Sequence, residues 1–167
     1  EMRFFAMGEN LRTVQTPFGL MGLLICEDLW HPSTIFLHAQ DGARVVITLS
    51  SSPARGVRGA EGFQTSQGWE CLLKAMSQFY TIYNIYVNRT GIEDGVYFSG
   101  GSMVVGPSGE VLARGSSSGE DLIITELDLE EIRRTRLFTP LLRDERLDLT
   151  LRELSRITQQ LSGSSRP

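Results

Sequence analysis

Cysteine, lysine and long apolar runs are all scarce in this 167-residue sequence. The two cysteines, Cys26 and Cys71, are too few for a disulfide framework, and their surroundings lack the ligand spacing of a structural zinc site. No run approaches the roughly 20 apolar residues that span a bilayer, and the first residues do not form a secretory signal pattern. We therefore expect a cytoplasmic protein with free thiols, no bound metal and no membrane partner.

An excess of basic charge is also missing, because the formal net charge is -4. Such a chain cannot neutralise many phosphates, which argues against a nucleic-acid partner and favours a small molecule. The phosphate-binding pattern GxxxxGK[ST] is absent. Gly56, Gly59 and Gly62 do not open a helix directly after a strand, as a dinucleotide site requires, so we expect no cofactor.

The composition that is present, with 41% hydrophobic and 22% charged residues, is typical of a globular domain. The sequence begins with Glu1 rather than methionine, and apolar periodicity starts within a few residues of it. We therefore expect the chain to be part of something longer.

Apolar periodicity predicts strands that alternate with helices, as in a layered α/β fold. Residues 18–25, FGLMGLLI, and 44–49, RVVITL, are apolar runs typical of strands buried on both faces. A helix is predicted between them, from about residue 31 to residue 41, and residues 50–68 are predicted to form a long surface loop. The remaining predictions are a helix at 69–81, a strand at 85–90, a turn-rich segment at 92–101, hairpin strands in SMVVG, EVLARG and DLIITELD, and a helix at 129–136.

The end of the chain carries an amphipathic stripe of leucine and isoleucine. A chain of this size does not cover such a stripe by itself, so we expect it to dock on a partner subunit and to make the protein a homo-oligomer. The stripe consists of Leu147, Leu151, Leu154, Ile157 and Leu161.

Cys26 is the main candidate for catalysis, because it directly follows the first predicted strand. Catalytic groups of open α/β sheets collect at the carboxyl ends of strands. Main-chain amides that become free there favour the thiolate, and the N–H of Glu27 is placed to receive the oxyanion of a tetrahedral intermediate. A cysteine in an apolar run is otherwise most often inert packing, and we interpret Cys71, inside a helix, in that way.

Two other chemistries remain open for Cys26. His31 or His38 could pair with it as a cysteine–histidine dyad, although no third, orienting group is evident. Cys26, Asp28 and His31 could also ligate a metal, although their spacing matches no recognised pattern.

Several segments resemble the carbon–nitrogen hydrolase (nitrilase) superfamily, in the order in which that family has them. GLLICEDLWHPS, at residues 22–33, is similar to its nucleophile segment, where a strand ends in a cysteine followed by acidic residues and a proline. WECLLKAMSQFYTIYNIYVNRTG resembles the family's helix and following strand, which close with Asn88, Arg89 and Gly91. GGSMVVGPSGEVLA resembles its hairpin, and the likeness covers about residues 1–148.

This resemblance implies a four-layer α-β-β-α sandwich, of which this chain is roughly the second half. Residues 1–167 are then the C-terminal part of a single hydrolase domain, with 148–167 as a C-terminal tail. The resemblance also implies a thiol hydrolase acting on a small-molecule amide or nitrile. Cys26 attacks the carbon, a glutamate acts as general base, a lysine stabilises the intermediate, and water releases the acyl-enzyme.

The family's glutamate–lysine–cysteine triad is incomplete in this sequence. In the family both the base glutamate and the lysine precede the cysteine, but only 25 residues precede Cys26 and none of them is lysine. Lys74 lies well after it, and we interpret it as a solvated side chain. Glu1 precedes an Arg-Phe-Phe segment, as a second glutamate near the active site does in the family, and that role is assigned to it.

The segment LSSSPARG, residues 49–56, resembles the substrate-facing loop of the family, most closely the loop in glutamine-hydrolysing domains of NAD synthetase. Ser51 and Ser52, with Trp30 of the CEDLW segment, are therefore the predicted substrate-binding residues. One alternative function is the glutaminase module of a glutamine-dependent NAD synthetase. Another is a truncated, inactive family member that acts as a binding or assembly module.

Overall fold

The computed structural model describes residue 6 and residues 8–56 and 63–163, so Glu1 lies outside the described residues. In chain order the strands are Val14–Thr16 (β1), Gly19–Ile25 (β2), Val45–Ser50 (β3), Tyr83–Asn88 (β4), Thr90–Glu93 (β5), Val96–Ser99 (β6), Met103–Val105 (β7) and Val111–Arg114 (β8). The helices are Pro32–Gln40 (α1), Gln64–Tyr80 (α2), Leu129–Phe138 (α3), Leu141–Asp144 (α4) and Leu147–Gly163 (α5), and a short 3₁₀ helix spans Cys26–Trp30. The predicted α/β class is confirmed.

The main sheet is mixed, with the strand order β1-β2-β3-β4-β7-β8, and β5 pairs with β6 in a separate hairpin. Strands β2, β3 and β4 are parallel, and α1 and α2 form the crossovers between them. Ile25 pairs with Leu49, and Leu49 pairs with Val87. The carboxyl ends of all three strands therefore meet at one edge, which brings Cys26 beside the end of β3.

One face of the sheet is closed by α1 and α2, and we call it the covered face. Leu24, Val46 and Tyr86 point from β2, β3 and β4 into one apolar cluster and are at most 2% exposed. The helices and the 3₁₀ turn supply its other large members, which include Leu29, Ile35, Trp69, Leu73 and Met76. The predicted helix face from Trp69 onward is confirmed as far as Met76, whereas Phe79, which was predicted to lie on it, is 50% exposed.

The alternate residues of the same strands form the opposite face. Helix α3 covers its amino-terminal part, where Ile132 packs with Val45 and Tyr83. The carboxyl-terminal part of this face is exposed, and we call it the open face. It consists of Leu23 (54% exposed), Ile25 (61%), Leu49 (53%) and Val87 (44%). The expectation that both strands are buried on both faces is therefore wrong for the carboxyl halves of β2 and β3, because no element of the described chain packs there.

Three boundaries also differ from the predictions. Residues 64–68 belong to α2 rather than to a loop, and a Cβ at Gly68 would lie 3.3 Å from the Trp30 ring. The turn-rich segment at 92–101 contains most of the β5–β6 hairpin. DLIITELD, residues 121–128, is not a strand: no strand of the described chain pairs with it, and Leu122 and Ile124 are 82% and 86% exposed.

The tail is helical as its periodicity indicates. All five residues of the amphipathic stripe lie on α5 and are exposed, between 41% for Ile157 and 68% for Leu151. Their docking on a partner stays a prediction. Among the described residues, no helix combines the length and the apolar character that a bilayer crossing needs.

Candidate active site

Cys26 stands where β2 turns into the short 3₁₀ helix, and its backbone is left-handed, with φ of 46°. A side chain disfavours this conformation, which costs of the order of 1–3 kcal/mol and is found preferentially at functional sites. The turn is held by Asp28, whose Oδ2 accepts a hydrogen bond from the Ile25 N–H at 2.9 Å. Thr34 Oγ1 in turn donates to the Asp28 carbonyl at 2.6 Å. The sulfur is therefore aimed by a sharply bent and braced backbone.

The Cys26 sulfur is half-buried and accepts a hydrogen bond from Ser50 Oγ at 3.3 Å. Ser50 is the last residue of β3, and its Oγ accepts a hydrogen bond from the Tyr86 hydroxyl at 3.4 Å. Burial raises the pKa of Tyr86 well above its ordinary value, so this phenol stays protonated and acts as a donor. The thiol therefore ends a polar chain that starts on β4.

A cavity of about 120 Å³ lies beside this chain, and Tyr86 and Ser52 line it. Trp69 Nε1 donates to Ser52 Oγ at 2.8 Å, and the Ser52 N–H donates to Asn88 Oδ1 at 2.9 Å. Cys26 and Ser50 do not line this cavity, and the hydrogen-bonded chain connects the sulfur to it through Tyr86.

The predicted substrate-binding residues lie at different distances from this cavity. Ser52 lines it, whereas Ser51 is exposed and does not. Trp30 does not line it either, but its half-exposed ring packs edge-on against Trp69, with the centroids 5.1 Å apart. Trp69 stacks on Tyr86 with the centroids 4.6 Å apart, so Trp30 is joined to the cavity wall through one ring.

In the described chain, neither histidine is hydrogen-bonded to the Cys26 sulfur. His31 is exposed, with Nε2 at 3.9 Å from Glu27 Oε1, and the Glu27 side chain is 76% exposed. The predicted role of Glu27 thus depends on its main-chain N–H. His38 is buried between α1 and Gly22 of β2, and neither of its ring nitrogens has a hydrogen-bond partner of normal geometry. A cysteine–histidine dyad therefore has no support from His38.

Other polar groups have ordinary roles. Lys74 Nζ lies 2.7 Å from Glu70 Oε1, and Arg114 lies 2.6 Å from the other oxygen of the same carboxylate. Cys71 is exposed on the same helix, which differs from the buried packing expected of it. Within residues 8–56 and 63–163, no group of three or more histidine, cysteine, aspartate or glutamate side chains could hold a metal ion.

The sequence interpretation missed Ser50 and Tyr86. A signal for them existed, because both stand near the carboxyl ends of strands parallel to the one that delivers Cys26. In the observed register Thr48 pairs with Tyr86 and Ser50 pairs with Asn88. Aligning the ends of the three predicted strands would have brought these side chains to the cysteine.

Comparison with known proteins gives this site a family. Residues 1–137 match the family described as carbon-nitrogen hydrolase. The glutamine-dependent NAD(+) synthetase of Thermotoga maritima is 34% identical over 142 residues, which are 84% of this chain and 23% of that protein. The carbon-nitrogen hydrolase from Helicobacter pylori G27 superposes with a TM-score of 0.79 at 30% identity, over 90% of this chain and 54% of that one.

A third protein is an amidase from Nesterenkonia sp. AN1, in a mutant form that shows covalent addition of the acetamide moiety of fluoroacetamide at the active site cysteine. It is 27% identical with a TM-score of 0.70, over 89% of this chain and 49% of that one. The chain thus spans about half the length of these two hydrolases and about a quarter of the synthetase. By its sequence match and its fold, the chain belongs to the carbon–nitrogen hydrolase family.

Proposed function

We propose that this chain supplies the nucleophile of a thiol hydrolase that cleaves the carbon–nitrogen bond of a small-molecule amide or nitrile. The observation that carries the proposal is the position of Cys26: a left-handed residue after a parallel strand, with its sulfur hydrogen-bonded at the strand edge. At such a turn the surrounding elements fix the direction of the thiol, as a nucleophile requires. The Nesterenkonia amidase, whose active site cysteine carries a covalent acetamide moiety, supports the same chemistry.

In the proposed reaction of an amide, a general base takes the proton of the Cys26 thiol as the sulfur attacks the carbonyl carbon and a carbon–sulfur bond forms. The carbonyl π bond breaks to give an oxyanion, which the Glu27 N–H receives. The carbon–nitrogen bond then breaks as the leaving nitrogen takes that proton, and water cleaves the thioester to restore the thiol. The base glutamate and the lysine that the family resemblance implies have no counterpart among the described residues around Cys26.

The wider assignment follows from the same family relationship. Residues 1–167 are proposed as the C-terminal part of one hydrolase domain, with 148–167 as the tail that contacts a partner copy in a cytoplasmic homo-oligomer. Ser52 is proposed to contact the substrate from the cavity wall, with Ser51 and Trp30 at the entrance. Glu1 is proposed as the second glutamate of the site.

A Cys26→Ala substitution tests the nucleophile. In the full gene product, hydrolysis of short aliphatic amides should fall by at least about 10³-fold in kcat/KM, because the variant lacks the sulfur on which the acyl-enzyme is proposed to form. Cys71→Ala is the matched control, since it removes an exposed thiol on α2 and should leave the rate unchanged. Mass spectrometry of the wild type, quenched during turnover, should find the acyl group on Cys26. Undiminished hydrolysis by Cys26→Ala would remove the proposal.

The glutaminase module is the second candidate, and the identity with the Thermotoga maritima synthetase favours it. The two functions differ in substrate, because a glutaminase releases ammonia from glutamine. Ammonia release from glutamine at a rate far above that from simple amides would select the glutaminase. If Cys26 is alkylated no faster than a free thiol and no amide is cleaved, the assembly module is the correct function.

A further inference from the structure

We infer that Ser50 and Tyr86 are positioning residues, which hold the Cys26 sulfur at the sheet edge and stabilise its thiolate. The inference deepens the proposed function and rests on it, because a stabilised thiolate matters only if the sulfur reacts. Ser50 acts through its hydrogen bond to the sulfur, and Tyr86 acts through its hydrogen bond to Ser50.

The direction of the hydrogen bonds is fixed by the chemistry of the three groups. Tyr86 is buried, and its phenol remains a donor at any pH near neutrality. Its O–H points to Ser50 Oγ, so one lone pair of that oxygen is occupied. The single proton of Ser50 is then free to point at Cys26 Sγ, 3.3 Å away. The chain of donors therefore runs from Tyr86 to Ser50 to the sulfur.

The groups are also held rigidly, since each lies on or beside a regular strand. Ser50 ends β3 and Tyr86 lies on β4, and these strands pair continuously from Val45 to Ser50. The Tyr86 ring is clamped by stacking on Trp69, which is itself anchored by its hydrogen bond to Ser52. A donor on a rigid element loses little conformational entropy when it forms its hydrogen bond, and this makes positioning effective.

A donor aimed at the sulfur has a defined consequence for its reactivity. A hydrogen bond to a charged acceptor is stronger than one to a neutral acceptor, so the Ser50 hydroxyl favours the thiolate over the thiol. The thiolate is the reactive form of a cysteine. Loss of the donor should therefore slow alkylation of Cys26 at neutral pH while leaving other thiols as they are.

The test is alkylation of the intact chain by iodoacetamide at neutral pH. The alkylation profile is the time course of adduct formation at Cys26 and at Cys71, counted separately by mass spectrometry. Ser50→Ala should slow the Cys26 profile about tenfold. Tyr86→Phe keeps the stacked ring and should slow it by less. Ser50→Thr, which keeps the hydroxyl, should keep the wild-type profile.

Two matched controls separate positioning from general damage. Ser33→Ala removes an exposed hydroxyl on α1, and Tyr83→Phe removes the hydrogen bond that a buried tyrosine on β4 makes to the Asp128 carbonyl at 2.7 Å. Neither should move the Cys26 profile. Cys71, which is exposed on α2, should be alkylated with the same profile in every variant.

The inference is overturned if Ser50→Ala and Tyr86→Phe both give the wild-type Cys26 profile, or if the profiles of Cys26 and Cys71 shift together. It fails separately from the proposed function. If the Cys26 profile responds to Ser50→Ala but Cys26→Ala still hydrolyses amides at the wild-type rate, the positioning role is supported and the proposed nucleophile is wrong. If the Cys26 profile does not respond but Cys26→Ala is inactive, the nucleophile is supported and the positioning role is wrong.

Discussion

The two faces of the central sheet are built from the same strands and the same classes of residue, yet they differ sharply in burial. On the covered face Leu24 is 1% exposed, whereas its neighbour Leu23 on the open face is 54% exposed. The difference comes from what packs on each face, not from the strands themselves. The apolar runs of β2 and β3 are therefore suited to a sheet buried on both sides, and the four-layer sandwich implied by the family places a second sheet on the open face.

The covered face is where a substitution should do most damage. Leu73 of α2 is fully buried in the cluster beneath the helices. Leu73→Ala removes three buried carbon atoms and leaves a cavity, so it should lower the free energy of unfolding by about 2–5 kcal/mol. Urea unfolding followed by circular dichroism measures this. A loss below about 1 kcal/mol would mean that the two faces do not differ in packing as described.

The covered face also holds a pH-sensitive group, which should have an intermediate effect. Burial lowers the pKa of His38 from its ordinary value of 6.5, although the main chain of Leu23 and the carboxylates of Asp41 and Asp28 oppose this. The folded state then binds fewer protons than the unfolded state below that value. Stability should be full above about pH 6.5 and fall as the pH drops toward the lowered pKa, by up to about 1.4 kcal/mol per pH unit.

The measurement is urea unfolding between pH 5 and pH 8. A His38→Leu variant should lose most of the decline near pH 6, because the titrating group is gone. His31→Leu is the control: His31 is exposed beside Glu27, so the decline should persist in that variant. An equal decline in wild type and His38→Leu would assign the pH dependence to other groups.

The smallest effect on stability is expected on the open face. Leu49 is 53% exposed, so Leu49→Ser should change the free energy of unfolding of the isolated chain by no more than about 0.5 kcal/mol. The same change interrupts an exposed apolar row, and self-association measured by light scattering should decrease. A destabilisation as large as that of Leu73→Ala would show that the face is covered in solution.

Much of this fold follows from periodicity, and the failures have common physical causes. The helix after Pro32 and the stripe on α2 were predictable because one face of each packs on the sheet. The exposure of Leu23 and Leu49 was not predictable. The composition of a strand shows that it is suited to burial, but it does not show whether another element packs on it. The first turn of α2 was missed because its polar residues lack apolar periodicity. The lack of a side chain at Gly68 leaves room for the ring of Trp30, a contact that the sequence does not reveal.

The site divides in the same way. Cys26 was identified because it follows an apolar run, which is a feature of neighbouring residues in the chain. Ser50 and Tyr86 come 24 and 60 residues after it, and only the register of parallel strands brings them near the sulfur. A linear sequence shows which residues are neighbours along the chain, but it does not show which strands pair or in which register.

The left-handed backbone at Cys26 is unfavourable for the stability of the chain, whereas the proposed reaction requires a side chain there. Glycine would adopt that bend without steric penalty, so a chain optimised only to be stable would carry no side chain at this point. The thiol therefore persists against the local conformational preference. The braced turn around Cys26 holds this conformation, so the proposed nucleophile depends on the hydrogen bonds of Asp28 and Thr34 as well as on its own sulfur.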